Sequence, residues 1–511
     1  MTPKVSGVDS EIFARRVRPP ALRLTLKAQR PTSQHPMNSR LQALLLVLAV
    51  WAVVYLPALG SLAVKGEEGR RILPAIRMLE TGDYVVPQVG SNPYFRKPPL
   101  VNWLVAVSFK IFGARNEWTA RLPSAVAVLA VAIAFVTVVR ASLGPRGSLV
   151  AALIWLTNIG MIEKGRLIEI EGLYVSLSGL AIIFWLSFWN QNKSAWLIWV
   201  PASIFLGLGM LAKGPTHLLF FYGIVLAVLW QTRNWRLLFH PAHLVALAIM
   251  LGIFSAWAVP FARAMTIQQT IHNWSIQFSG RLKGTEFHFL SWVLNIPRAL
   301  IYFLPWLILL PFVRFSKFQD DKQRQLARAL GWGMAVPFLV VNLVPGAVAR
   351  YSMPYLVPAS WLLAMSYAGD ALQMPNKIPL MNERALARVI TAFVGLGLVI
   401  GGIGYPVTAL ALRNRQRVTV AASALNAALP PDETVYVVDP RYVPVLFYLK
   451  TPLEYVSTIE KLPADTHYFL VRARDEKEAA TTQKWVPRKA RPIARATDYT
   501  KREMILFEVG P

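Results

Sequence analysis

The stretch from Gly66 to Trp103 reads GEEGRRILPAIRMLETGDYVVPQVGSNPYFRKPPLVNW, and it follows the first long apolar run of the chain. It contains two adjacent carboxylates, four arginines, one lysine and five prolines, whereas the runs on either side are mostly apolar. A segment with this much charge, placed where the chain leaves a hydrophobic run, is more typical of a site than of a simple connection. We therefore expect it to carry functional residues at a membrane surface.

The composition predicts an α-helical polytopic membrane protein. Of the 511 residues, 55% are hydrophobic and 16% are charged, and the mean hydropathy is +0.42. A soluble protein would have roughly 25% charged residues. Apolar runs long enough to cross about 30 Å of hydrocarbon recur along the sequence. We expect about eleven spans, or up to thirteen with weaker runs such as 101–113: 41–63, 119–140, 147–161, 172–189, 195–212, 215–231, 243–262, 296–313, 329–345, 352–370 and 388–412.

The net charge of +27 has an ordinary explanation in a membrane protein. Lys and Arg number 54 against 27 Asp and Glu, and basic residues collect in cytoplasmic loops and near anionic lipid headgroups. We therefore expect membrane lipids, and no nucleic acid, as partners. The chain has no cysteine, which excludes disulfides and thiolate catalysis. His240 and His243 have a spacing that suits a metal, but no carboxylate is near them in sequence, and we predict no metal site.

The basic residues also predict an orientation. A polar, basic arm over residues 1–40 is expected on the cytoplasmic side. Alternating the spans from there gives inside connections that all carry Lys or Arg, as the positive-inside rule requires: 140–146, 190–193, 233–236, 314–328 and 377–388. The opposite, external side then receives 66–118, 163–171, 213–214, 263–295 and 346–350.

Three regions are expected after this assignment. The arm 1–40 is followed by a membrane domain over 41–412, whose external loop 64–118 would be catalytic. Residues 413–511 are predicted to form a small soluble, external α/β domain. Short β-branched runs at 434–438, 468–471 and 504–508 favour strands, and the apolar stretch Tyr442–Leu449 suits a helix.

The external loops share carboxylates and cations at the outer ends of helices. Any single Lys or Arg there is also explained as an interfacial anchor, and Glu68 with Arg70 or Arg71 is also explained as a structural ion pair. Sugar transfer from a lipid phosphate would use both kinds of group. A carboxylate would orient the attacking hydroxyl, and cations would stabilise the negative charge on the departing phosphate.

Ordered motifs in the first loop resemble those of GT-C fold glycosyltransferases in the protein O-mannosyltransferase and lipid A aminoarabinose transferase superfamily. They are MLETGDYVVP at Met78–Pro87, PYFRKPPLVNW at Pro93–Trp103 and NEWTARLPS at Asn116–Ser124. LAKGP at Leu211–Pro215 and RYSMP at Arg350–Pro354 resemble later motifs. The resemblance covers roughly residues 41–370. It implies an inverting glycosyltransferase of the bacterial inner membrane that needs no nucleotide cofactor.

The resemblance also implies roles for individual residues. The donor is expected to be a polyprenyl-phosphate-linked sugar, and the acceptor lipid A, a glycan or a protein. Glu67 takes the position of the acidic residue that engages the acceptor, and Glu171 that of a second acidic residue, for which Glu169 competes. Four residues are expected near the donor phosphate: Arg70, Lys97, Lys213 and Tyr351. Glu68, Arg350 and Arg281 are further candidates.

One departure from the superfamily pattern concerns Glu67, because the leading acidic residue of the pair is usually aspartate. The glutamate carboxylate stands one methylene further from the backbone, and a misplacement of about 1 Å can cost on the order of 100-fold in rate. Two other functions stay open. One is a transporter that flips a lipid-linked sugar, and the other is an inactive homologue that binds lipid.

Overall fold

The computed structural model describes residues 36–283, 287–373, 383–413, 415–485, 488–497 and 503–510. Most of the predicted arm 1–40 lies outside the described residues. The first described elements lead through the charged loop and back into the helical bundle: α1 Pro36–Tyr55, α2 Gly69–Thr81, β1 Gln88–Val89, β2 Asn92–Pro93, α3 Leu100–Phe112 and α4 Glu117–Thr137.

The first helix ends earlier than the sequence predicts. Helix α1 stops at Tyr55, whereas the apolar run was expected to continue as a span to residue 63. Pro57 explains the difference, because proline disfavours helical backbone at the residue before it and has no N–H to donate. Residues 56–65 are turns, so the charged loop begins closer to the helix end than expected. By contrast, α3 (Leu100–Phe112) coincides closely with the weaker apolar run at 101–113.

The rest of the membrane part is mostly helical. The predicted apolar runs overlap helices, but the run 296–313 is broken into the helix Asn295–Ile301 and a 3-10 segment, Trp306–Phe312. Helices α5–α17 are α5 Arg140–Thr157, α6 Ile159–Lys164, α7 Ile170–Asn190, α8 Ala195–Ala212, α9 Thr216–Thr232, α10 Pro241–Met265, α11 Ile267–Lys283, α12 Phe289–Val293, α13 Asn295–Ile301, α14 Asp321–Leu343, α15 Leu356–Ala368, α16 Glu383–Val399 and α17 Tyr405–Arg413. A π-helical segment, Ile400–Gly404, joins the last two.

By length and composition, the described part of the chain contains 6 helices that can cross a membrane. They are Glu117–Thr137, Ile170–Asn190, Ala195–Ala212, Pro241–Met265, Asp321–Leu343 and the apolar segment Arg384–Ala428, in which the described helices end at Arg413 and begin again at Arg417. The total becomes 7 if the segments Phe289–Ile301 and Trp306–Phe312, bent by 89°, form one broken span. The polytopic helical class is therefore confirmed, and the number of eleven to thirteen spans stays a prediction.

Contacts between connecting segments agree with the predicted grouping of loops into two ends. Arg140, at the first predicted inside connection, donates a 2.7 Å hydrogen bond to Ser39 near the chain start. Lys322 donates to the carbonyl of Asn190 at 2.7 Å, which joins two other predicted inside connections. The loops assigned to the opposite side meet one another at the other end of the bundle, where the charged residues lie.

Helix α7 passes through the middle of the bundle. It packs against α4, α8 and α15, and almost all of its side chains are buried. Close packing on all sides fixes the position of the helix and therefore of its first turn. That turn carries Glu171, so this carboxylate is held on a helix that is buried along most of its length.

A sheet-containing unit follows, which we call the C-terminal domain (residues 417–510). Its elements are α18 Arg417–Ala428, β3 Val435–Val438, β4 Leu453–Val456, β5 Tyr468–Arg472, α19 Glu476–Thr481, β6 Ala490–Thr497 and β7 Glu503–Val509. The sheet order is β4-β3-β5-β7-β6. Strand β3 pairs in parallel with β4 and β5, while β7 pairs antiparallel with β5 and β6.

Strands β3, β5 and β7 lie where the sequence predicts strands, but two strands were not predicted. Strand β4 is only four residues long. Strand β6 contains Pro492 and the polar residues Arg491, Arg495 and Thr497. Its pairing with β7 shifts register between Pro492 and Ala494. Both lie at sheet edges, where proline and charge are tolerated and an apolar pattern is not required. The predicted helix over Tyr442–Leu449 is a short 3-10 segment, Pro444–Tyr448.

Candidate active site

The charged loop begins with a 3-10 turn, Gly66–Glu68, that leads directly into α2. Both carboxylate oxygens of Glu67 accept hydrogen bonds from Nη1 of Arg70, at 2.7 and 2.8 Å. Nη2 of Arg71 lies 4.0 Å from the same carboxylate. Glu67 is partly exposed, whereas Arg71 is buried. The carboxylate is therefore reachable from outside and is held by cations one helical turn away.

Glu68 faces the protein interior and has a different partner from the two predicted. Its carboxylate forms two hydrogen bonds of 2.9 Å with Nε and Nη2 of Arg121, not with Arg70 or Arg71. It also accepts the N–H groups of Lys65 and Ile168, at 3.1 Å each. The side chains of Glu68 and Arg121 are almost completely buried. Glu68 is thus part of the scaffold of the loop and is not available to a substrate.

Glu171 joins cations from two other loops. Nζ of Lys213 donates to its Oε1 at 3.2 Å, and Nε of Arg350 lies 3.3 Å from the same oxygen. Glu171 and Lys213 are buried, and Arg350 is partly exposed. The carboxylate sits in the first turn of α7, where the positive end of the helix dipole favours a negative charge.

The position of Lys213 follows from the sequence LAKGP. Helix α8 ends at Ala212, and Pro215 stands immediately before α9. Between them, Gly214 adopts φ +106°, a conformation that favours glycine. The ammonium group lies 4.8 Å from the ring centre of Tyr174 and 4.5 Å from that of Tyr351. Burial lowers the pKa of Lys213, while the carboxylate of Glu171 acts in the opposite direction.

The Glu67 and Glu171 groups belong to one electrostatic site. Burial alone would lower the pKa of Arg350, but the carboxylates of Glu171, Glu169 and Glu67 together raise it. The positive charge of Arg71 contributes to lowering the pKa of Lys213. Separate connecting segments therefore bring two carboxylates and four cations close enough to influence one another: Glu67, Glu171, Arg70, Arg71, Lys213 and Arg350.

Glu169, the alternative candidate for the second acidic residue, pairs with Lys164. Its Oε2 lies 2.9 Å from Nζ of Lys164, and this lysine is also 2.9 Å from Oε1 of Glu163. Burial raises the pKa of Glu169, and Lys164 opposes that effect. Glu171 contacts the cations Lys213 and Arg350, whereas Glu169 pairs with Lys164.

The segment that carries Lys97 packs beside Arg71. The guanidinium carbon of Arg71 lies 5.7 Å from the ring centre of Tyr94. The carbonyl of Phe95 accepts a 3.1 Å hydrogen bond from Trp274 of α11, so α11 covers this part of the loop. Lys97 is half-buried. The backbone of Arg281 belongs to α11, but its side chain lies outside the described residues.

Two residues that support the site were not assigned from the sequence, Arg121 and Tyr442. Arg121 lies in the NEWTARLPS motif, and a charged side chain inside the apolar helix α4 was the signal that pointed to a buried partner. Tyr442 has no such signal. Its hydroxyl accepts a hydrogen bond from Nη2 of Arg70, across a sequence separation of 372 residues.

In the described part of the chain, no group of three or more His, Asp or Glu is arranged to hold a metal ion. The two histidines with metal-like spacing have structural contacts. Nδ1 of His240 accepts the N–H of Ala242 at the start of α10. The ring of His243 stacks on Trp199 at 4.0 Å and contacts Tyr222.

Comparison with known proteins gives one family and a set of relatives. Residues 96–259 match the dolichyl-phosphate-mannose-protein mannosyltransferase family. An undecaprenyl phosphate-alpha-4-amino-4-deoxy-L-arabinose arabinosyl transferase 2 of Pseudomonas fluorescens is 27% identical over 378 residues, which cover 71% of this chain and 65% of the relative. The Pseudomonas aeruginosa (strain UCBPP-PA14) arabinosyl transferase is 28% identical, with 68% and 63% covered. The matched region thus spans less than two thirds of these relatives.

Solved structures extend the similarity over most of the chain. ArnT from Cupriavidus metallidurans bound to undecaprenyl phosphate superposes with a TM-score of 0.69 at 17% identity, covering 92% of this chain and 98% of ArnT. The apo structure gives 0.67 with the same coverage. The fold is therefore that of a polytopic GT-C membrane protein with a small sheet-containing domain. The family match, the relatives and the shared fold all support the resemblance to GT-C glycosyltransferases that the first-loop motifs indicated.

Proposed function

We propose that the protein is an integral membrane glycosyltransferase that moves a sugar from a polyprenyl-phosphate donor to an envelope acceptor. The reaction would take place on the external face of the bacterial inner membrane, with the N-terminus cytoplasmic and the C-terminal domain external. Lipid A is the first acceptor to test, followed by glycans and proteins. The donor class is supported by the names of the relatives and by the ligand of the ArnT structure.

One observation carries this proposal. Carboxylates and cations from four separate connecting segments converge at one end of the helical bundle, and the cations outnumber the carboxylates. An excess of buried positive charge favours a bound anion such as a phosphate. The site lies at helix ends, so a lipid-linked donor could keep its tail in the bilayer. A transporter would instead favour charged or broken positions near the middle of several spans.

The geometry suggests how the work is divided. Glu67, the accessible carboxylate, would orient the acceptor group and take its proton. A lone pair of the acceptor then forms the new bond at the anomeric carbon, while the bond from that carbon to the phosphate oxygen breaks with inversion. The electron pair leaves on the phosphate, where Lys213, Arg350 and Arg71 would stabilise it. Lys97 and Tyr351 would complete the donor site.

Glu171 suits a different role from Glu67. It is buried and already contacts Lys213 and Arg350, so an acceptor group has little access to it. We assign it the task of holding these two cations at a fixed separation for the phosphate. Nη1 of Arg70 binds both carboxylate oxygens of Glu67. Arg70 would therefore orient that carboxylate more than it would bind the donor.

The proposed activity is tested with the purified full chain in lipid vesicles. A polyprenyl-phosphate-linked sugar is supplied without nucleotide, together with an extract of envelope acceptors, and products are followed by mass spectrometry. We expect a sugar-bearing acceptor and free polyprenyl phosphate in equal amounts. Movement of the donor across the vesicle membrane without transfer would favour the transporter. Absence of both, with every donor tried, would favour a lipid-binding homologue.

Replacing Lys213 tests the donor-phosphate site. The variant Lys213→Met keeps the side-chain length but removes the charge, and loss of one such group typically costs about 10²–10³ in kcat. We expect this loss together with a higher KM for the donor, measured by initial rates. The control Arg236→Met removes a cation at the opposite, predicted cytoplasmic end and should leave both constants within about twofold.

The pH dependence gives a second test of Lys213. Because burial lowers its pKa, the ammonium loses its proton at a lower pH than an exposed lysine, and activity should fall as pH rises through that value. In Lys213→Arg the charge persists at high pH, so the alkaline fall should move upward even if the rate is lower. An unchanged alkaline limb in that variant would contradict the assignment.

A further inference from the structure

We infer that Tyr442 of the C-terminal domain is a positioning residue of the active site, which fixes Arg70 and, through it, the Glu67 carboxylate. This inference rests on the proposed function and extends it, because it makes the C-terminal domain part of the catalytic geometry. The domain would then be required for the chemical step and would not be only a lid or a selector of acceptors.

The contacts form a direct chain from the domain to the carboxylate. The hydroxyl of Tyr442 accepts a hydrogen bond from Nη2 of Arg70, and Nη1 of the same guanidinium binds both oxygens of Glu67. The guanidinium carbon also lies 3.9 Å from the ring centre of Tyr442. The Arg70 guanidinium therefore has three contacts. The Tyr442 ring covers its face, the Tyr442 hydroxyl binds Nη2 and the Glu67 carboxylate binds Nη1.

The start of α2 is packed against the same segment. A Cβ atom on Gly69 would lie 3.0 Å from the carbonyl oxygen of Tyr442 and 3.3 Å from Cγ of Pro444. The backbone of the loop helix and the backbone of the C-terminal domain therefore touch directly beside Glu67. This close packing defines where the two segments lie relative to each other, which a positioning role requires.

The electrostatics of Arg70 agree with this arrangement. Burial alone would lower the pKa of Arg70, but the carboxylate of Glu67 and the hydroxyl of Tyr442 together raise it. The guanidinium is therefore a stable cation whose orientation depends on both partners. Freed from the tyrosine, it could follow a rotating Glu67 side chain and would no longer hold the carboxylate in one place.

A second tyrosine of the same segment provides a matched control. The hydroxyl of Tyr448 accepts the N–H of Val64 at 2.6 Å and donates to Glu117 at 2.7 Å. It joins the C-terminal domain to the loop, as Tyr442 does, but its hydroxyl bonds to Val64 and Glu117 instead of Arg70. A purely structural role for these tyrosines would make the two Tyr→Phe variants alike.

The test compares Tyr442→Phe and Tyr448→Phe in the full-length protein in vesicles. Phenylalanine keeps the ring over Arg70 and removes only the hydroxyl. Since a hydrogen bond to a charged group is a strong one, we expect kcat to fall on the order of 10-fold in Tyr442→Phe, with the donor KM within about twofold. Tyr448→Phe should keep kcat, whatever it does to the unfolding temperature.

A double variant separates positioning from loss of folding. In an Arg70→Ala background, Tyr442→Phe should cause no further fall in kcat, because the hydroxyl then has no guanidinium to orient. Equal kcat values for wild type and Tyr442→Phe, or equal losses in both Tyr→Phe variants, would overturn the inference while leaving the proposed function intact. Failure of the wild type to transfer sugar would instead overturn the proposed function itself.

Discussion

Replacing Glu67 by glutamine is expected to reduce sugar transfer by about 10²–10⁴-fold, the range that a positioned general base contributes. Glutamine has nearly the same shape and can still accept a hydrogen bond from Arg70, so the fold and the donor KM should change little. It cannot take a proton from the acceptor. The measurement is the initial rate of transfer in vesicles at saturating donor.

The first loop offers a matched control for this variant. Glu80 lies in the same helix α2 and forms surface pairs with Arg77 and Arg115, at 3.4 and 3.5 Å. Because exposed pairs contribute little, Glu80→Gln should transfer sugar within about twofold of the wild type. If Glu67→Gln were as active as this control, Glu67 would not be the base.

Glu67→Asp addresses the departure from the superfamily pattern. Aspartate is the usual residue there, but it would withdraw the carboxylate by one methylene from Arg70. Since a shift of about 1 Å can cost on the order of 100-fold, we expect the aspartate variant to be slower than the wild type. The glutamate would then be matched to this protein's own Arg70 and Tyr442, and would not be a sign of lost function.

Local sequence signals predicted much of the fold. Apolar runs indicated most of the helices, because the length and hydropathy of a run act through nearby backbone. The same reasoning placed the end of α1 too late, because the apolar run continues past Pro57 whereas the helix ends at Tyr55. Edge strands β4 and β6 were missed because an edge needs little hydrophobic pattern.

The site was predictable only in part, for a related reason. Glu67, Lys213 and Arg350 stood in recognisable motifs, and motifs are local. The partner of Glu68 was not local: Arg121 is 53 residues away, whereas only the nearer Arg70 and Arg71 were expected from the sequence. Tyr442 lies still further along the chain. Charge type predicted that these groups need partners, but only the packing of helices and domain determines which partners they have.

The buried pair of Glu68 and Arg121 leads to the largest expected effect on stability. Arg121→Met would leave the Glu68 carboxylate buried without its cation, and breaking such a pair typically costs about 3–5 kcal/mol. Arg121 also donates to the carbonyls of Leu59 and Leu62, at 2.9 and 2.7 Å, so the turn after α1 would lose its support. We expect a loss of this size in the free energy of unfolding, measured by denaturant titration in detergent micelles.

Two further variants determine whether the unpaired charge is the cause. In the double variant Glu68→Gln with Arg121→Met no buried charge is left, so it should recover part of the stability and unfold at a higher denaturant concentration than Arg121→Met alone. Arg491→Met breaks an exposed pair with Glu508 in the C-terminal domain, for which about 0–1 kcal/mol is expected. If Arg121→Met cost no more than Arg491→Met, the pair would not be what holds the first loop on the helical bundle.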